Sequence, residues 1–145
     1  MIPNAARIMQ IEGELRNLEN DRDTEFNARR KTQERLDTLK SARVKLKLLM
    51  ENYYKFPTDF SDLHTSVLNL DFQGSRRRNI ETRLNAIGEN LKIQRSHHEE
   101  NSQTIKSQIR TEETEYLRHN ATISSINMQI TALEKERKLL LVQQI

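Results

Sequence analysis

The sequence predicts an all-α protein, a long antiparallel helical hairpin wound as a coiled coil, with a kink near Pro57 and a turn near Gly74. Three observations predict it. Hydrophobic residues make up 34% of the 145-residue chain and charged residues 31%, with no Trp and four Phe. Such a composition lines a narrow seam between helices and cannot fill a thick core. Three Gly and two Pro are too few for the frequent turns of a β protein. A seven-residue repeat of apolar positions runs through the first third of the chain, the mark of two helices sharing one stripe.

The first helix keeps this register from Ile8 to Tyr53. Its a positions are Ile8, Leu15, Arg22, Arg29, Leu36, Arg43 and Met50, and its d positions Ile11, Leu18, Glu25, Thr32, Leu39, Leu46 and Tyr53. The polar stretch from Arg22 to Thr32 holds the phase but weakens the seam, because polar a and d residues cost stability while fixing register. A loose middle section is expected there.

Pro57 is expected to interrupt this helix, since it lacks an N–H and its ring clashes with the preceding turn. Thr58 or Ser61 could cap a restart, and Phe60, Leu63, Val67 and Leu70 carry an amphipathic spacing beyond it. The stretch Phe72-Gln73-Gly74-Ser75 then supplies a stop and a start. Gly74 can adopt the left-handed conformation that ends a helix, and Ser75 can cap the next.

In the second long helix Ile80, Leu84, Ile87 and Leu91 form a first seam. Past a polar stretch around Gln94, His98 and Asn101 it resumes with Ile105, Ile109, Tyr116, Ile123, Ile126, Ile130, Leu133 and Leu140. The step from His98 to Ile109 reads as a four-residue stutter, which locally unwinds a supercoil.

Folding at Gly74 sets Ile8 opposite Leu140, Leu15 opposite Leu133, Leu18 opposite Ile130 and Leu39 opposite Ile109. The expectation is therefore one elongated domain over residues 1–145, with arm one 4–71, a turn at 72–75 and arm two 76–143. Self-association stays open, because identical seams satisfy a hairpin or a swapped dimer.

A two-helix hairpin buries one stripe per helix, yet Val44, Leu48, Leu49, Tyr54 and Phe56 fall outside the a and d positions. A helix apolar on several faces is normally covered all round, either by a local third helix formed at the Pro57 kink or by another chain. The second reading makes Leu48, Leu49, Tyr53, Tyr54, Phe56 and Phe60 the candidate partner-binding anchors, with Phe72 and Gly74 shaping the turn.

No catalytic chemistry is expected. His97-His98-Glu99-Glu100 is rich in ligand types, but adjacent helical positions point about 100° apart, and a helical metal site needs ligands at i and i+3 or i+4. Ser61, Asp62 and His64 include the types of a hydrolytic triad without an oxyanion donor nearby. No glycine-rich phosphate loop is present, and without cysteine there is neither a disulfide nor a thiolate metal site. The expectation is no enzyme, no metal, no cofactor and no small-molecule substrate. The net charge of +3 concentrates at Arg76, Arg77, Arg78 and Arg83. A dedicated nucleic-acid binder would show a stronger basic stripe. No apolar run reaches the roughly 18 residues of a membrane span, and the start Met1-Ile2-Pro3-Asn4 lacks the regions of a Sec-type leader.

At Phe72-Gln73-Gly74 the layout resembles the WXG-type helical hairpins exported by the type VII (ESX/Ess) system of Gram-positive bacteria, with Phe in place of Trp. The chain is more similar to the α-helical accessory proteins encoded beside LXG-domain toxins in Firmicutes. These share the long helix, the aromatic residue and glycine near the turn, and an end pattern like the stretch from Ile126 to Glu136. The family's secretion signal, an aromatic followed four residues later by an acid, is missing: Tyr116 is followed by Asn120 and Tyr54 by Thr58. The resemblance thus implies a cytoplasmic targeting chaperone for an LXG-domain toxin, co-exported through type VII secretion or left behind, with the signal supplied by a second small helical accessory protein. Its rivals are a self-associating structural coiled coil and a nucleic-acid binder using the arginine cluster.

Overall fold

The computed structural model describes residues 4–70 and 74–143, and the side chain of Thr58 lies outside that description. The fold is all-α. Helix α1 spans Ala5–Leu68 and helix α2 spans Ser75–Val142, with no strand among the described residues. Phe72 lies outside the described residues.

Both helices start in the same way. Asn4 and Gly74 have positive φ, 67° and 80°, a region open to glycine and tolerated by asparagine. The Asn4 carbonyl accepts the Ile8 N–H at 2.9 Å and the Gly74 carbonyl accepts the Arg78 N–H at 3.2 Å. The cap position of α2 therefore belongs to Gly74. Ser75, expected to cap, is already the first helical residue.

Helix α1 is bent but unbroken, and the restart expected at Thr58 or Ser61 does not occur: Pro57 lies inside the helix. A proline there costs about 3 kcal/mol through its lost hydrogen bond and ring clash. The turns on both sides are held regardless. Tyr53 packs edge-on against the His98 ring at 5.3 Å between centroids, and Phe60 packs beside Gly88.

The residues turned inward on α1 follow one spacing of three and four from Ile8 to Val67, with exposed Arg43 the single exception. On α2 the same holds from Arg77 to Leu140, through Glu81, Leu84, Gly88, Leu91, His98, Ser102, Ile105, Ile109 and Glu112, with exposed Arg95 the single exception. This corrects two expectations. There is no stutter between His98 and Ile109, because Ser102 and Ile105 carry the heptad across. Nor do Ile80 and Ile87 line the seam: they stand half out of it, and Glu81 and Gly88 take the inward places.

The chain divides into two compact units, one of residues 1–37 with 110–145 and one of residues 38–109. In the first, Ile11, Leu15, Ile126 and Ile130 form a buried cluster, with Leu18, Leu133 and Leu140 against it. The stretch expected to be loose is instead laced across the seam. Arg22 donates to the Asn127 side chain at 3.1 Å and Arg29 to Asn120 at 2.9 Å, and the buried His119 Nδ1 lies 2.6 Å from a Glu25 carboxylate oxygen. Thr32 is fully buried and donates to the Ala28 carbonyl. Arg22 Nε and one Glu112 oxygen remain buried without a partner, so the layer fixes alignment at some cost in stability. Arg7 closes this unit with a bidentate pair to Glu136, at 2.8 and 2.9 Å.

Candidate partner-binding surface

The second unit contains the turn and all the described candidate anchors, and its heptad positions decide which way each side chain faces. Tyr53 and Phe60 hold d positions and are committed to the seam, one against His98 and the other beside His64 and Gly88. Tyr54 holds an e position. Its ring lies under the Arg95 guanidinium at 4.8 Å, and its hydroxyl donates to Glu99, itself an e position of α2, at 3.4 Å. Leu48 lies at f, on the back of the helix. Leu49 and Phe56 both lie at g, 62% and 54% exposed. The six expected anchors are thus spread over four faces, and only Leu49 and Phe56 share an open one.

That face is larger than these two residues. Leu63 repeats the seven-residue step from Leu49 and Phe56 and is more than half exposed; Leu70, equally exposed, lies two residues past the end of α1. On α2 the corresponding g positions near the turn are Ile80 and Ile87. In an antiparallel pair the e positions of both helices border one side of the seam and the g positions border the other. The Tyr54–Glu99 contact marks the e side in this unit, which puts the five g-position side chains of the two helices, Leu49, Phe56, Leu63, Ile80 and Ile87, on the opposite side. A local third helix covering them, one of the two readings of the apolar excess, is absent among the described residues.

The e side is different in kind. Because Gly88 has no side chain, an open cleft of about 420 Å³ lies between Pro57, Ser61 and His64 of α1 and Asn85, Gly88 and Lys92 of α2. His97 is exposed, while His98 is occupied by Tyr53. No group of three metal-ligating side chains occurs among the described residues, and no described helix is long and apolar enough to cross a membrane.

No family model, curated protein or solved structure matches the chain.

Leu63, Ile80 and Ile87 are absent from the expected anchors because their spacing reads as seam: Leu63 shares an amphipathic spacing with Phe60 and Val67, and Ile80 and Ile87 share one with Leu84 and Leu91. The open face is instead a sparse stripe, one residue in seven. The intervals from Leu49 to Leu63 carry that signal in the sequence alone.

Proposed function

We propose that this chain is a non-enzymatic helical binding protein that engages a helical segment of another protein, and that its partner is an LXG-domain toxin destined for type VII secretion. The observation that carries the binding role is the apolar g-side face of the second unit. A helix that buries one stripe against its own partner and leaves a second apolar stripe in water has surface to spare for a third helix. The LXG assignment is supported by the Phe72-Gln73-Gly74 turn sequence and the Ile126–Glu136 tail pattern. A targeting chaperone that meets its toxin in the cytoplasm, alone or with a second small accessory protein, fits both. Apolar anchors would supply affinity and flanking charges orientation.

Co-expression with the LXG-domain protein of a neighbouring reading frame, followed by affinity capture and size-exclusion chromatography, tests the assignment. A stable complex is expected. Failure of the wild-type proteins to co-purify at micromolar concentration would remove the toxin from the proposal.

A further inference from the structure

We infer that the g-side face of the second unit, built from Leu49, Phe56, Leu63, Ile80 and Ile87, docks one amphipathic helix of a foreign chain whose flanks are acidic. The inference rests on the binding role proposed above, and it names the face and the chemistry of what occupies it.

Three observations fix the occupant. The first is geometry. The α1 stripe advances by seven residues from Leu49 to Leu63, or about 21 Å at 1.5 Å per residue. Ile80 and Ile87 border it from α2, so the surface lies along the groove between two helices, and an α-helix of about two heptads spans such a groove.

The second is area. The five side chains are between 36% and 62% exposed, which leaves on the order of 500 Å² of surface if each offers ~200 Å² in full. That is towards the upper end of what a monomer usually shows and most of the ~800 Å² per partner of a standard interface.

The third is charge, which decides between a second copy and a foreign helix. The c positions form the outer rim of a g-side face. They carry Lys45 and Asp59 on α1, and Arg76 and Arg83 on α2. Among the described residues no ion pair engages Arg76, Arg83 or Lys45. The rim is therefore net positive, and a second copy would bring the same cations against it. A helix with Glu or Asp beside its apolar stripe meets the rim with opposite charge, and complementarity of this kind sets partner choice and speeds encounter.

A concrete test uses two synthetic peptides of about four heptads, both with Leu at a and d, one with Glu and the other with Lys at e and g. Titration into the full chain at low salt is followed by calorimetry and by methyl NMR of the Leu and Ile side chains. The Glu peptide should bind at least tenfold tighter than the Lys peptide. Shifts should concentrate on Leu49, Leu63, Ile80 and Ile87, leaving Leu48 and Ile93 unmoved. The double variant Phe56→Glu with Leu63→Glu should lose the binding while keeping its helicity and melting temperature, since both side chains face water.

Equal binding of the two peptides, shifts centred on Leu48 and Ile93, or a stable dimer of the free chain by sedimentation that protects these methyls would each overturn the inference. Toxin capture separates its failure from failure of the assignment. If an LXG-domain protein binds wild type and double variant alike, the face is wrong and the assignment stands. If it binds neither while the Glu peptide binds as described, the face stands and the toxin falls.

Discussion

Phe60 Cε1 lies 3.5 Å from the point where a Cβ on Gly88 would sit. That is an ordinary van der Waals distance, so a methyl group at Gly88 would touch the Phe60 ring without displacing it. Gly88 also sits deep inside α2, where glycine costs about 0.8–1.0 kcal/mol relative to alanine. Gly88→Ala should therefore raise stability by about 1 kcal/mol, read as a shift in urea midpoint at unchanged m-value. A lower midpoint would show that the cleft beside Phe60 needs the missing side chain.

The register of α1 was legible in the sequence because Ile8, Ile11, Leu15, Leu18, Leu36 and Leu39 are both apolar and inward. In α2 the two properties part company. Ile80 and Ile87 are more apolar than Glu81 and Gly88 yet lie one position off the seam, and Arg95, His98 and Ser102 hide a phase that never changes. Following apolar residues alone thus rotated the first seam and invented a stutter. The lacing of Arg22 to Asn127 and Arg29 to Asn120 was illegible for another reason. Each residue alone reads as a weak seam position, and only the alignment of the two helices supplies its partner.

His119 and Glu25 occupy d positions, and the Glu25 oxygen has the buried imidazole as its contact at 2.6 Å. Replacing one member should be worse than replacing both. His119→Leu strands the inward carboxylate and should cost about 1–3 kcal/mol. Glu25→Leu with His119→Leu fills the seam with apolar volume and should recover wild-type stability or exceed it. A double-mutant cycle in urea measures the coupling. The doubly substituted chain should also show more than one oligomeric species by sedimentation, because a polar layer is what rejects slipped and swapped alignments.

The Arg7 guanidinium, through its hydrogen bonds, holds the Glu136 carboxyl below the usual carboxylate range. A carboxyl depressed by folding contributes stability that is fully present above its unfolded pKa and is lost as pH falls through the folded value. Wild type should accordingly melt slightly higher than Glu136→Gln at neutral pH, and the difference should close on acidification from about pH 5 to about pH 3. Both side chains are more than a third exposed, so the gap is also expected to shrink in high salt. A gap independent of pH would assign the loss to packing instead of charge.

Neighbouring aromatic and leucine residues of α1 should separate into two classes on truncation. Tyr53 and Phe60 fill the seam against His98 and Gly88, so Tyr53→Ala and Phe60→Ala should each destabilise by about 2–3 kcal/mol, below the value for a fully buried ring. Leu49 and Phe56 face water at more than half their area, and their truncation should change stability by no more than about 0.5 kcal/mol. The same four variants should rank in reverse for partner capture per folded molecule. Loss of Leu49 or Phe56 removes contact area from the open groove, whereas loss of Tyr53 or Phe60 acts only through the fraction folded. Thermal melts and capture assays on one set of preparations read both orders. A single shared order would mean that the seam and the binding face are the same surface, which the heptad positions of these residues exclude.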